Sequence, residues 1–229
     1  MITPAPPPVP VVGATVRIGV ECLDLAVRVL VAGVVPAPRF GREAEVQAGA
    51  GAVLALGADL VEVPPPARFA GVVRGAAGHH VAMRASSPDE VASARAAGVE
   101  VIMVAPGLAA ELAGGDTAAT GRELRTTRGP GGPAGLAGVV VVVDDPADVP
   151  ATRAQAERWG VPLAYDSTRW SGAAGIAREA AAVADGCRLL RTTDVRRSRR
   201  VAEVTGALLA ARRQDDRPGR GVDGEQDRR

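Results

Sequence analysis

The run VVVVVDDPADVPATRAQAERWGVPLAYD, residues 139–166, decides the fold. Five consecutive valines leave no polar face, so they predict a strand buried on both sides. Asp144 and Asp145 end that strand, where a carboxylate serves either to cap the following turn or to contact a ligand. Residues 150–159 predict a helix and residues 162–165 the next strand. A doubly buried strand, a helix and a second buried strand make a βαβ unit, which implies a parallel sheet covered by helices.

The same alternation extends in both directions. Downstream, residues 172–184 form an Ala-rich helix, 188–191 a strand and 195–213 a final helix. Upstream, residues 16–20 and 29–35 are short Val-rich strands. From Glu43, the apolar residues Val46, Ala50, Val53 and Leu54 recur at helical spacing, and Gly57 stops that helix. Residues 60–63 and 80–83 read as strands. Ser87-Pro88-Asp89-Glu90 is a helix start, with a Ser cap and Pro in the first turn. Gly98 ends that helix, and strand 99–104 follows. Residues 114–138, rich in Gly, Thr and Pro, predict a long loop with one short helix near 118–124. The β-then-α unit recurs about seven times, which allows an open doubly wound sheet or a closed (β/α)8 barrel. One barrel strand is missing from the pattern, and the Gly-rich loop lies where it would fall. Residues 1–13 are a Pro-rich lead, 14–213 the patterned domain and 214–229 a charged tail, and both ends are expected to be disordered.

Composition narrows the chemistry. The 229 residues carry a net charge of +1, are 47% hydrophobic and only 2% aromatic. So much apolar surface excludes wholesale disorder, and the near-neutral balance argues against a nucleic-acid binder. The chain contains neither Lys nor Asn, which excludes a Lys Schiff base, a Lys general base and an Asn amide. Cys22 and Cys187 form no CxxC pair and no metal set, and read as buried thiols in a reducing cytoplasm. His79 and His80 fall in a Gly-rich turn at the surface. The apolar run 25–35 contains Arg28 and stops at Pro36, too short for a membrane span. The Pro-rich start lacks the basic region of a secretory signal.

Three segments together resemble dihydropteroate synthase, the pterin-binding barrel family of folate biosynthesis. Residues 29–63, VLVAGVVPAPRFGREAEVQAGAGAVLALGADLVEV, are similar to the family's first strand, mobile loop, first helix and "GADIVDVGGES" strand. Residues 81–107, VAMRASSPDEVASARAAGVEVIMVAPG, follow the spacing of "SIDT…VA..AL..GA.IINDVSG". Residues 163–200 place LAYDSTRWSG at "LVGxSRKxFxG" and CRLLRTTDVRRSRR at "xxIVRVHDVRxxRR". The resemblance implies a TIM (β/α)8 barrel with one strand reduced or missing. It implies a transferase in which an aromatic amine attacks a pterin methyl carbon bearing a diphosphate, with magnesium, and a homodimer formed through C-terminal helices.

Position by position, much of the family's site is replaced. Its loop Asn falls at Pro36, its Gly-Gly-Glu-Ser at Pro64-Pro65-Pro66-Ala67, its pterin-binding Asp at Arg84, its "IND" Asn at Met103, its "SRK" Lys at Arg169 and its His at Thr193. Asp145 falls in the family's "LDPG", Ser167 at the Ser of "SRK" and Arg191 at the anion-binding Arg, while Arg68 lies one place from a family Arg. Arg191, Arg169, Ser167, Asp145 and Arg68 are therefore the candidate ligand-binding residues, for a phosphorylated or pterin-like ligand. No catalytic residue is assigned. The expectation is a degenerate family member without ordinary synthase activity. Alternatives are a non-enzymatic barrel that pairs with a partner protein, and a different barrel enzyme acting on a phosphorylated small molecule.

Two arginine groups have competing readings. Arg191, Arg169, Arg68 and Arg39 at strand ends make either an anion site or salt bridges to Asp145, Asp166 and Asp194. Arg196, Arg197, Arg199 and Arg200 open the last helix, where cations oppose the helix dipole. They form a solvated face or meet an external anion or acidic partner, with Val201, Val204 and Leu208 expected to be buried. Trp170 reads as core packing or as a platform for a flat ligand.

Overall fold

The structure, a computed structural model, describes residues 15–18, 21–24, 29–38, 41–77, 80–118 and 134–215. The expected lead, most of the tail, most of the expected helix at 118–124, Arg39 and His79 lie outside them. Seven parallel strands close a barrel in chain order: β3 (Leu30–Val34), β4 (Leu60–Glu62), β5 (Val81–Ala85), β6 (Val101–Val104), β7 (Val139–Val143), β8 (Leu163–Asp166) and β9 (Leu189–Thr192). β9 returns to β3 through the pairs Leu30↔Leu189 and Ala32↔Arg191. Around them lie α1 (Glu43–Ala55), α2 (Arg68–Ala77), α3 (Pro88–Ala96), α4 (Pro106–Ala118), α5 (Val149–Trp159), α6 (Gly172–Ala184) and α7 (Val195–Asp215). The closed barrel, rather than the open sheet, is the outcome. No helix among the described residues is long and apolar enough to cross a membrane.

The missing strand has a definite explanation. β6 pairs directly with β7, with Met103 opposite Val140, so no strand lies between these two in the barrel. In its place α4 leaves β6, and a 3-10 turn at Ala134–Leu136 leads back through the buried Leu136. The strand expected at 16–20 belongs instead to a two-stranded antiparallel hairpin, β1 (Thr15–Ile18) with β2 (Glu21–Asp24), separate from the barrel sheet. Helix α2, the first part of α4 and the extension of α7 to Asp215 go beyond the sequence reading.

Local rules hold where the sequence is explicit. Gly57 and Gly98 follow α1 and α3 with φ of 93° and 71°, the left-handed region that ends a helix at little cost for glycine. Ser87 Oγ accepts from the Glu90 amide at 3.2 Å, and Glu90 Oε2 accepts from the Ser86 amide at 2.7 Å. Cys187 is buried, which pushes its thiol up to about 12 and leaves it inert near neutral pH.

Two apolar layers follow from the strand alternation. Leu30, Ala32, Leu60, Ala82, Val101, Met103, Val140, Val142, Ala164 and Leu189 fill the barrel interior. Alanines at three of these positions suit a barrel of fewer strands, whose lumen is narrower. The alternate residues, including Val31, Val61, Met83, Ile102, Val141, Tyr165 and Leu190, pack against the helices. Gly33 faces that outer layer. A Cβ there would lie 2.9 Å from both Val53 Cβ and Val195 Cγ2. Gly33→Ala is therefore expected to destabilise the fold by about 1–3 kcal/mol, read from the midpoint of urea unfolding. An unchanged midpoint would show that α1 and α7 yield freely.

On α7 the buried stripe runs through Val195, Ser198, Val201 and Ala202. Val204 and Leu208, expected to be buried with Val201, are 62% and 65% exposed. The helical period carries the buried face on to Thr205 and Leu209 and leaves Val204 and Leu208 turned outward.

Candidate functional site

The inward-facing positions change character at the C-terminal ends of the strands. Two residues beyond Leu60, Ala82, Val142, Ala164 and Leu189 of the interior lie Glu62, Arg84, Asp144, Asp166 and Arg191. Period-two alternation thus carries five charged side chains onto the barrel mouth, the face where barrels of this class bear their sites.

These groups engage one another. Arg191 donates from Nε to Glu62 Oε2 at 2.6 Å and from Nη2 to Glu62 Oε1 at 2.7 Å, a two-pronged pair. Its Nη1 donates to Asp166 Oδ2 at 2.7 Å and to Thr168 Oγ1 at 3.3 Å. Arg84 Nη1 donates to the same Asp166 Oδ2 at 2.8 Å, and Arg84 Nη2 lies 3.7 Å from Asp144 Oδ1. Asp166 Oδ1 accepts from the Thr168 amide at 3.0 Å and from the Thr168 hydroxyl at 2.7 Å. Glu62 and Asp166 are buried and Arg191 nearly so, whereas Arg84 and Asp144 reach the solvent side. The network joins β4, β5, β8 and β9 and contains three carboxylates against two guanidiniums.

Burial and pairing pull on the acids differently. Burial would raise the Asp166 carboxyl, but the Thr168 hydrogen bonds together with Arg191 and Arg84 hold it below its usual 3.8. At Glu62 burial prevails over the Arg191 pair and lifts the carboxyl above 4.5. Arg191 is held in its charged form: burial opposes the charge, and the hydrogen bonds and charges of Glu62 and Asp166 outweigh it. A carboxyl lowered by folding stabilises above its unfolded value, and that contribution is lost as pH falls through the folded value. A raised carboxyl does the opposite, weakening the fold as pH climbs from 4.5 through its folded value. Asp166 therefore contributes to the acid limb of stability below about pH 4. Asp166→Asn is expected to flatten that limb in urea titrations across pH. An unchanged slope would mean that Asp166 titrates alike folded and unfolded.

The sequence candidates meet different fates. Arg191 is the centre of the network, with Glu62, Asp166 and Thr168 on its donors. Ser167 is fully buried, and its amide and hydroxyl both donate to the Arg191 carbonyl, at 2.9 and 3.1 Å. It clasps β8 to β9, with its hydroxyl turned to backbone. Asp145 caps the turn after β7, accepting from the Ala147 amide at 3.0 Å, with Arg178 at 3.8 Å. Arg68 lies over the Phe69 ring at 5.3 Å, on the exposed start of α2. Arg169 is exposed on the β8–α6 connection. No hydrogen bond or ion pair among the described residues joins Arg68, Arg169 or Asp145 to Arg191. Trp170, 36% exposed, has the Arg178 guanidinium over its ring at 3.9 Å. Of the basic run, Arg197 is tied to the buried Glu179 at 2.9 Å and Arg199 to Asp59 at 2.7 Å, leaving Arg196 and Arg200 exposed.

Glu62 is the residue that the sequence reading passed over. Its one local signal is a charge at an inward position of an otherwise apolar strand, Leu60-Val61-Glu62-Val63. Arg84 stood out as a reversed charge, but its partner Asp166 lies three strands away around the barrel.

The donor set does not fit the magnesium that the resemblance implies. No group of three or more His, Cys, Asp or Glu residues able to hold a metal occurs among the described residues. The Glu62 and Asp166 oxygens face guanidinium and hydroxyl donors, and Pro36 offers no side-chain oxygen. Magnesium requires carboxylate and phosphate oxygens free to complete an octahedron.

Solved structures share this architecture. Yersinia pestis dihydropteroate synthase, in a sulfonamide drug complex, matches with a TM-score of 0.61 at 14% identity, covering 86% of this chain and 99% of that chain. The 7,8-dihydropteroate synthase of Vibrio fischeri ES114 gives 0.60 at 12% identity, covering 86% and 98%. Burkholderia cenocepacia dihydropteroate synthase complexed with 7,8-dihydropteroate gives 0.58 at 18% identity, covering 89% and 99%. No protein-family model and no curated protein matches the chain. The chain has a divergent dihydropteroate synthase-type fold built on seven barrel strands.

Proposed function

We propose that this chain is a dihydropteroate synthase-like protein, in or beside folate biosynthesis, that lacks ordinary synthase activity. One observation carries the reading: the inward charges at the barrel mouth are paired with one another. Arg84 stands where the family has a pterin-binding Asp, and it holds Asp166 at 2.8 Å. Arg191, at the family's anion-binding position, has Glu62 and Asp166 on its guanidinium. Met103, at the position of a family Asn, is buried among the apolar side chains of the interior. A pterin entering such a mouth must displace ion pairs and leave its own polar edge short of partners, at about 1–3 kcal/mol for each unpaired group.

The test is calorimetric titration of the full chain with a pterin diphosphate analogue, with pyrophosphate as control and magnesium in both. Silence towards both supports the reading. Binding of the analogue well beyond pyrophosphate would overturn it, because the pterin pocket would then have survived. Binding of pyrophosphate alone would also replace it, with an enzyme acting on another phosphorylated small molecule.

A further inference from the structure

Helix α7 carries a ridge that neither the barrel nor the mouth network uses. Residues four apart on a helix lie side by side along one stripe. Arg196, Arg200, Val204, Leu208 and Arg212 form such a stripe, and all five are exposed. Val204 and Leu208 are the two most exposed large apolar side chains in the described part of the chain. The small residues Ala207 and Ala211 beside them are also exposed and leave the stripe low enough for a helix to approach. The neighbouring arginines Arg197 and Arg199 are turned inward to Glu179 and Asp59, so among the described side chains of α7 the outward cations are the ones on the ridge. Glu203 and the last residue, Asp215, are the two acidic residues on α7, against six arginines.

The pattern is therefore cation, apolar pair, cation. We propose that this ridge docks an acidic amphipathic helix of a partner protein. The partner's two apolar side chains sit against Val204 and Leu208, and its carboxylates lie beyond them against Arg200 and Arg212. Helix-on-helix docking of this kind uses apolar anchors four residues apart, and flanking charges set partner choice.

The same pattern disfavours a second copy of this chain. A two-fold contact centred between Val204 and Leu208 is self-complementary in position. With the helices antiparallel, Val204 meets Leu208 of the other copy and Arg200 meets Arg212. With the helices parallel, Arg200 meets Arg200. Like charges face each other either way, and such juxtaposition is costly.

The probe is a stapled helical peptide of about 16 residues, with two leucines four apart and a glutamate four residues outside each. A scrambled peptide of the same composition is the control, and binding to the full chain is read by fluorescence anisotropy. The expected result is saturable binding of the patterned peptide, weakened at least about tenfold by the double variant Arg200→Glu/Arg212→Glu and by Leu208→Asp. Arg158→Glu, an exposed charge reversal on α5, is expected to leave binding unchanged, and about 0.5 M salt to weaken it. Circular dichroism of each variant must match that of the parent.

Four results would overturn the proposal. The scrambled peptide binds as well, or the double variant binds as tightly as the parent. Phosphatidylserine vesicles bind the chain and lose it with the same variants while the peptide does not bind, which makes the ridge a membrane contact. Sedimentation gives a dimer at low micromolar concentration that Leu208→Asp dissolves, which makes the occupant a second copy. None of these readouts involves the barrel mouth, so this proposal and the loss of synthase activity stand or fall separately.

Discussion

Arg191→Met is expected to lower the free energy of unfolding by about 3–5 kcal/mol at pH 7, the cost of breaking a buried ion pair by removing one partner. The substitution keeps the length of the side chain and removes its charge. Glu62 and Asp166 then face each other across the barrel mouth with no guanidinium between them, although Arg84 still holds Asp166 Oδ2. Each has lost a charge-assisted bond, and both lie in a desolvated place. The deficit has a pH signature. The Glu62 carboxyl is already raised by burial, and losing Arg191 removes the main force that opposes the rise. Protonating it relieves the repulsion, so the deficit at about pH 5 is expected to be smaller than at about pH 8. Urea unfolding at the two values checks both size and sign. The double variant Glu62→Leu/Arg191→Met should recover much of the loss, because an apolar pair in the same space carries no buried charge. A full deficit in the double variant would mean that packing, and not charge, sets the cost.

Glu179→Ala is the second large effect, again about 3–5 kcal/mol. Glu179 is completely buried on α6, and its Oε1 accepts from Arg197 Nη2 at 2.9 Å and from Ser198 Oγ at 2.6 Å. Both donors belong to α7, so this carboxylate is the polar join between the last two helices. Its removal leaves the Arg197 guanidinium largely buried with the Trp170 carbonyl at 2.9 Å and a distant Asp194 as its remaining partners. Glu179→Gln retains an acceptor and is expected to cost less, about 1–3 kcal/mol. Thermal unfolding of the two variants separates charge from shape. Equal losses would assign the effect to the lost charge, because glutamine keeps the shape of the side chain.

The fold was legible because its signals are local. The valine run became β7, glycines 57 and 98 ended their helices, and seven buried apolar strands with helices between them left few architectures open. The misses have local causes too. Helix α2 follows Pro64-Pro65-Pro66-Ala67 and carries Gly71 in its first turn, and α4 begins Pro-Gly, so helix-breaking residues stand at both starts. The pairing of β1 with β2 was invisible because a lone Val-rich run does not say which strand it pairs with.

The site was less legible for a different reason. Asp166 and Arg191 were in view from the sequence as a salt bridge competing with an anion site. That Glu62 takes two of the Arg191 donors depends on strand register: Val34 aligns with Glu62, Ala32 with Arg191, and Asp166 with Arg191. Those alignments are made between residues far apart in the chain, and no window along the sequence contains them. The same holds for α7, where a shift of three residues along the helix decides whether Val204 faces the barrel or the solvent.

Closure of the barrel through β3 and β9 bears on how the protein is made. Synthesis runs from the N-terminus, so β3 leaves the ribosome long before the strand that covers its open edge. Six strands in order then make a curved sheet with two unpaired edges, the kind of surface that recruits another chain. Only the arrival of β9 satisfies both edges at once. Closure of the barrel is thereby deferred until Leu189–Thr192 has emerged, and a nascent chain stalled before residue 189 is a candidate for chaperone capture.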